Sequence, residues 1–424
     1  MKTLLIKNAR VICPEQNIDE QMSILCRDGK IAELKTNAQT ADEVIDCSGL
    51  IACPGFVDMH VHLRDPGQTH KEDIISGCNC AAAGGVTSIL AMPNTSPAVD
   101  SAETVSYILE KAKNANARVY VAASITKGLK GAEPTDIKAL KQAGAISLTD
   151  DGRPVENTKI MANAMISAAG ENMRVVSHCE DLFLAQGGKI NEGEVSRTLG
   201  VAGIPAAAED CATAREIALA AAYGVPVHIC HVSTATSAAL IRDAKRRGVA
   251  VTAETAPHYI SLTDESLLNR NANFRMNPPL RTEKDRLEMI EALRDGTIDA
   301  IATDHAPHTP QEKADFLSAP NGSIGMETSF AVCNTVLVKG GFMTINGLIK
   351  KMSLNPAKIL GIEAGTLEAG RNADIAIIDP DAEWTVDAGK LHGKSKNTPF
   401  DGQKLIGRVV CTILGGKKVY SVNN

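Results

Sequence analysis

The sequence has no CxxC pair, no long basic run and no apolar stretch of membrane-spanning length, and each absence closes off a class of function. Eleven cysteines, an odd number scattered without CxxC spacing, fit buried thiols of a reducing cytoplasm better than a disulfide framework. With 44 Lys and Arg against 50 Asp and Glu, a net charge of -6, no nucleic-acid partner is expected. The opening MKTLLIKNARVICPEQ carries too short an apolar run for a signal peptide and no small-residue cleavage site. Neither export nor a membrane partner is expected, and the expected location is cytoplasmic. There is no internal repeat beyond a β/α alternation and no low-complexity stretch.

What is present is the composition of a soluble globular protein, 44% hydrophobic and 22% charged over 424 residues. That length suits one large domain with a smaller one, or two to three ordinary domains. Residues 1–53 read as short strands: LLIKNARVI, SILCRDGKIAEL with a turn at Asp28 and Gly29, and GLIACPG. From Gly55 apolar, β-branched runs alternate with Ala-, Lys- and Glu-rich stretches of helical period. The expected strands are 56–63, 86–94, 117–124, 145–151, 174–180, 226–233, 249–258 and 299–308. Between them SAETVSYILEKAKNA, ENTKIMANAMISAAG, AEDCATAREIALAAAYG and EKDRLEMIEALRDG read as helices, several closing on a Gly.

Strands apolar in their first halves and polar at their ends describe an α/β fold, a (β/α)8 TIM barrel with its site at the C-terminal face. The barrel is expected over residues 54–360. The tail, ADIAIIDPDAEWTV and GRVVCTILGGKKVYSV, returns to β texture. With the N-terminal segment it is expected to build one small β-sandwich domain, residues 1–53 and 361–424.

The stretch GFVDMHVHLRDPG, Gly55 to Gly67, organises the chemistry. In a strand of period two, His60 and His62 face one way, as metal ligands or as two hydrogen-bonded barrel histidines. Other strand ends decide between these. They supply His178, His231, Asp304 and the pair Asp150 and Asp151, an imidazole and carboxylate set that suits zinc. One ion or two is left open by this chemistry. Zinc lowers the pKa of a bound water to about 7, so metal-assisted hydrolysis of an amide-like bond follows, with Asp304 accepting and delivering the proton. Cys179 and Cys230 adjoin His178 and His231, but alternation turns each thiol to the opposite face, against helices. Arg64 and Asn94 read as a carboxylate clamp or as surface and turn residues, and His308 as a substrate contact or a loop histidine. The polar loop from Thr309 to Ser323 reads as a lid or as a long surface loop.

FVDMHVHLRDPG and ATDHAPH resemble the two signature segments of dihydroorotases of the amidohydrolase superfamily, and the order of elements matches along nearly the whole chain. The type resembled is the bacterial class I enzyme, which interconverts N-carbamoyl-L-aspartate and L-dihydroorotate in pyrimidine synthesis. The resemblance implies two zinc ions, one held by His60 and His62 and the other by His178 and His231. Asp151 would be the bridging aspartate, with Asp150 as fallback, and Asp304 a ligand that is also the catalytic acid/base. It implies substrate contacts at His62, Arg64, Asn94, Asn277, His308, Asn321 and Gly322, with Arg64, Asn94 and His308 on the substrate carboxylate. It also implies a homodimer and, as an open question, association with aspartate transcarbamoylase.

One segment departs from the family pattern. Where the family loop reads close to APFGIVGLET, this chain has APNGSIGMET, and Asn321 replaces a large apolar residue expected against the ring. Two other readings compete. A dihydropyrimidinase, hydantoinase or allantoinase would bridge its metals with a modified lysine on the fourth strand, where AISLTDDGRPV offers none. An inert assembly subunit of aspartate transcarbamoylase would have lost its ligands, and here each is present.

Overall fold

A computed structural model describes residues 2–422. Residues 1, 423 and 424, the outer ends of the expected β domain, lie outside the described residues. The N-terminal strands are β1 (Thr3–Cys13), β2 (Ile18–Arg27), β3 (Lys30–Leu34), β4 (Glu43–Asp46) and β5 (Ile51–Pro54). The chain then enters β6 (Phe56–Val61), β7 (Val86–Ala91), β8 (Arg118–Ala123), β9 (Ala145–Leu148) and β10 (Arg174–Ser177). A two-strand ribbon, β11 (Ile190–Asn191) and β12 (Gly203–Ile204), interrupts the series. It resumes with β13 (Val227–Ile229), β14 (Val251–Thr255) and β15 (Ala300–Ile301). The tail gives β16 (Ile375–Thr385), β17 (Lys404–Leu414) and β18 (Lys417–Ser421).

The eight strands β6–β10 and β13–β15 pair in parallel, in chain order. A bridge between Val61 and His305 brings the last strand end back to the first. The sheet is thus a nearly closed α/β barrel, as eight apolar runs separated by helices require. Ile89, Val121, Val175 and Ile229 pack outward against the helices. Met59, Leu90, Met92, Ala122, Val176 and Ala300 fill the interior. Each such side chain contributes about 1.5–3 kcal/mol if large and fully buried.

Every barrel strand is shorter than its apolar run suggests, most of all the last, where an expected 299–308 gives only Ala300–Ile301. The residues lost from the strand ends include the polar ones that line the mouth. Arg64, His231 and Asp304 have φ of 59°, 33° and 48°, which ends extended backbone where those side chains turn into the barrel mouth. The expected helices appear as Ala102–Lys111, Thr158–Gly170, Ala207–Tyr223 and Glu283–Asp295. Gly224 and Gly296 terminate two of them at positive φ, whereas Gly170 is the last helical residue of its own.

The terminal segments pair into one eight-stranded mixed sheet in the order β18-β17-β16-β5-β1-β2-β3, with β4 on β1. The expected turn at Asp28 and Gly29 joins β2 to β3 through two residues of positive φ. This sheet has its own core of Leu4, Ile6, Val11, Ile24, Ile375 and Ile377. It runs into the barrel at Gly55, between β5 and β6. A Cβ there would stand 2.2 Å from Thr87 Oγ1, so glycine alone permits the close passage. Among the described residues no helix is long and apolar enough to cross a membrane.

Candidate active site

The C-terminal mouth of the barrel gathers the polar strand ends. Asp58, on β6, accepts from the Thr303 N–H at 3.0 Å and the Thr303 hydroxyl at 2.6 Å, locking the first strand to the segment after the last. On that frame His60 Nε2 lies 3.2 Å from Asp151 Oδ1, and His62 Nε2 lies 3.5 Å from Asp151 Oδ2 and 3.0 Å from Asp304 Oδ1. On the other side of Asp151, His178 Nδ1 and His231 Nε2 are 3.7 and 3.8 Å from Oδ1 and 2.9 Å from each other.

Two buried donor sets therefore share one carboxylate: His60, His62 and Asp151, and Asp151, His178 and His231. Asp304 stands beside the first, 3.7 Å from His60 Nε2. Asp151 Oδ1, His60 Nε2 and His231 Nδ1 are buried without a hydrogen-bond partner. Of these, Asp151 Oδ1 and His60 Nε2 face each other at 3.2 Å, and orphaned imidazole and carboxylate atoms that converge in this way fit a metal ion held by these residues. Asp150 is elsewhere. It accepts from the Ile125 and Thr126 N–H groups at 2.7 and 3.1 Å and from the Thr126 hydroxyl.

Burial alone would raise the Asp304 carboxyl, but the hydrogen bond from His62 and the His60 and His62 imidazoles hold it down at about 2. It is ionised at neutral pH and ready to accept a proton.

A cavity of about 260 Å³ opens onto these groups, and His62, Arg64, Asn94, Asn277, His308, Asn321 and Gly322 all line it. Arg64 is buried, with Nε donating to the Pro307 carbonyl at 3.2 Å and Nη2 lying 3.3 Å from His308 Nε2. Burial pushes its guanidinium down only to about 10, so it stays cationic. Burial, with Arg64, Lys71 and Lys313 around it, pushes His308 down to about 2, so this imidazole is neutral. The Asn94 amide is already engaged. Its oxygen accepts from His62 Nδ1–H at 2.7 Å and its nitrogen donates to Asp151 Oδ2 at 3.3 Å, so it orients two of the donors as well as lining the cavity.

Several functional neighbours carried no legible signal in the chain. Glu180 lies 3.1 Å from His178 Nε2 and accepts from Asn277 Nδ2 at 2.9 Å, tying a strand-end histidine to a cavity wall. The loop from Thr309 to Ser323 is neither open nor free. Buried Lys313 donates to the carbonyls of Arg275, Pro320 and Gly322 at 3.3, 2.9 and 2.9 Å, while Arg275 donates to Phe316 O, Leu317 O and Asn321 Oδ1. Phe316 and Ala319 seal it against Ile190, Val195 and Leu267. Asn321 thus has its side-chain oxygen held by Arg275 at 3.0 Å, and its backbone carbonyl accepts from His308 Nε2 at 2.9 Å. At Gly322, φ is 129° and a Cβ would come 2.7 Å from Ala306 Cβ, so the cavity wall has room for glycine only.

The two strand-end cysteines separate. Cys179 packs outward in the helix-facing core, as alternation predicts. Cys230 does not: it joins the interior cluster and stands within 4.8 Å of His60 and Glu254 ligand atoms. The positive φ of His231 breaks the period-two alternation at that point, so histidine and cysteine both turn inward.

Comparison with known proteins agrees with this geometry. The Dihydro-orotase-like family profile matches residues 49–237 and the Amidohydrolase family profile matches residues 193–420. A dihydroorotase of Geobacter metallireducens is 52% identical over 421 residues, 98% of this chain and 99% of the relative. One of Acetivibrio thermocellus is 48% identical, covering 98% of each. Among solved structures, the L-hydantoinase (dihydropyrimidinase) of Arthrobacter aurescens superposes with a TM-score of 0.90 at 26% identity, covering 99% of this chain and 96% of its own. The dihydropyrimidinase of Brevibacillus agri gives 0.86 at 25%, covering 99% and 95%. Full-length identity near one half, on a barrel whose mouth carries the shared aspartate and four histidines, places the chain in the dihydroorotase family of amidohydrolases.

Proposed function

We propose that the chain is a class I, zinc-dependent dihydroorotase interconverting N-carbamoyl-L-aspartate and L-dihydroorotate. The observation that carries the reading is the meeting of the two donor sets on Asp151 with buried Arg64 on one cavity wall. His60, His62, Asp151, His178, His231 and Asp304 would hold two zinc ions, which supply Lewis acidity toward water and the ring carbonyl.

The rest is the work of the chain's own groups. Arg64 offers a planar fork to the ring carboxylate, beside neutral His308. Asp304, held 3.0 Å from His62, takes a proton from the attacking water as its oxygen bonds to the ring carbonyl carbon. The carbon–nitrogen bond then breaks and Asp304 returns that proton to the departing ring nitrogen, opening the ring. Ring closure is the reverse. Asn277 and the Asn321–Gly322 wall confine the ring. Residues 54–360 form the catalytic barrel and residues 1–53 and 361–424 a composite β-sandwich domain. The enzyme acts in the cytoplasm as a homodimer, and association with aspartate transcarbamoylase is the partner to test.

A hydantoinase or dihydropyrimidinase is the second reading, favoured by the solved structures that superpose on the barrel. Against it, the position after β9 carries Asp151, and no lysine lines the cavity among the described residues. The test is hydrolysis of L-dihydroorotate beside dihydrouracil, hydantoin and allantoin on a preparation of known zinc content. Turnover of dihydroorotate alone is expected, and preference for a ring without a carboxylate would overturn the reading. Asp304→Asn is expected to lose turnover by at least 100-fold with melting retained, and near-normal activity would remove Asp304 as the acid/base.

A further inference from the structure

Below the mouth a polar file crosses the barrel interior. Glu254, on β14, is fully buried and stands between two imidazoles, Oε1 3.2 Å from His60 Nδ1 and Oε2 3.3 Å from His228 Nε2. His228 and Thr252 face each other across the β13–β14 pair, and Glu254 follows Thr252 by two residues on the same strand face. His228 Nδ1 is 2.9 Å from Thr252 Oγ1, which accepts from Arg174 Nη1 at 3.0 Å.

Arginine donates only, which fixes the direction of the bond at the lower end of this file. The Thr252 oxygen accepts from Arg174, and a second hydrogen bond joins Thr252 Oγ1 to His228 Nδ1. His228 turns its other nitrogen, Nε2, to 3.3 Å from Glu254 Oε2, a close contact in which neither atom has a hydrogen-bond partner. The hydrogen bond that Glu254 does make is at its other oxygen, Oε1, 3.2 Å from His60 Nδ1. A proton on that nitrogen is the one arrangement that gives Glu254 a donor there. His60 Nε2 is left with a free lone pair, 3.2 Å from Asp151 on the side where the donors converge.

We propose that Glu254 is a positioning residue of the metal site. It holds His60 in the tautomer and ring orientation that a metal ligand needs, with His228 packed against the other carboxylate oxygen. This rests on the reading of His60 as a zinc ligand. A carboxylate or carbonyl behind a metal-bound histidine raises its basicity, and loss of such a partner costs about 10–100-fold in metal affinity.

The test is zinc affinity of the full-length enzyme by competition with a chromophoric chelator, comparing wild type, Glu254→Gln and His228→Asn. Glu254→Gln is expected to weaken zinc binding at one site by about 10–100-fold. At saturating zinc its KM for dihydroorotate should match that of wild type, and its zinc-free melting temperature should be unchanged, which separates positioning from a merely structural part. His228→Asn should shift affinity in the same direction by less, and it decides the matter if Glu254→Gln does not fold. Unaltered zinc affinity in the folded variants would overturn the inference alone. Wild-type enzyme that took up no zinc would overturn the metal reading itself and this inference with it.

Discussion

Replacing Arg64 with Met isolates the carboxylate clamp. The guanidinium has five N–H donors, of which Nε–H is committed to Pro307 O and one on Nη2 faces His308. Three remain on a side chain that lines the cavity, and a carboxylate takes two of them as a fork. Truncating one partner of a buried, hydrogen-bonded charge pair costs about 2–5 kcal/mol. At about 1.4 kcal/mol per decade this is a rise of roughly 30- to 4,000-fold in KM for L-dihydroorotate. Arg64→Lys keeps the charge and loses the fork, so its KM should fall between the two. The assay is initial rate against L-dihydroorotate concentration, with zinc content measured on the same samples. A KM for Arg64→Met within twofold of wild type would refute the clamp. A loss of zinc in step with the loss of activity would show that Arg64 supports the metal donors instead.

Two further perturbations test other parts of the site. Lys313→Met removes the donor that ties the loop carbonyls of Pro320 and Gly322 to that of Arg275, each such bond contributing about 1.5–3 kcal/mol when the donor is charged. KM should rise by about 10-fold or more and amide exchange across residues 309–323 should quicken, and unchanged exchange would show that Arg275 alone holds the loop. His258 is buried, and burial pushes it down to about 4, whereas in the unfolded chain it titrates near 6.5. Between those values the unfolded chain binds a proton that the folded one does not, so this group lowers stability as pH falls from about 6.5 to about 4. Wild type should lose roughly 2–3 kcal/mol relative to His258→Gln across that window by urea denaturation, and a difference independent of pH would refute the assignment.

The barrel and the mouth were legible because short polar residues closing apolar runs leave a mark that survives without any alignment. His60, His62, Asp151, His178, His231 and Asp304 all carry that mark, and the structure brings them within one cluster. Asp150 and Asp151 were not separable by pattern, because both follow β9 and only the loop conformation sends one to Thr126 and the other to the histidines. Glu254 and Glu180 escaped notice for a related reason. A carboxylate inside or just past a strand has no spacing that distinguishes a buried acceptor from a solvated one. Lys313 and Arg275 sit in a loop and in an irregular turn, where periodicity says nothing. Cys230 was misread because alternation assumes extended backbone, and His231 at φ 33° is not extended.

The strand order of the terminal sheet has a consequence for synthesis. β5 pairs with β16, Pro54 opposite Ile375, so about 320 residues must be made before that ladder can begin. At about 5–20 residues per second the first strands wait roughly 15–65 s for their partners. Through that interval β5, Ile51–Pro54, presents an unpaired edge on the side that β16 will take, while the barrel that follows it is still being delivered. The sheet therefore acts as a clasp that shuts after the barrel, and the nascent chain, more than the finished enzyme, is where a chaperone would be needed.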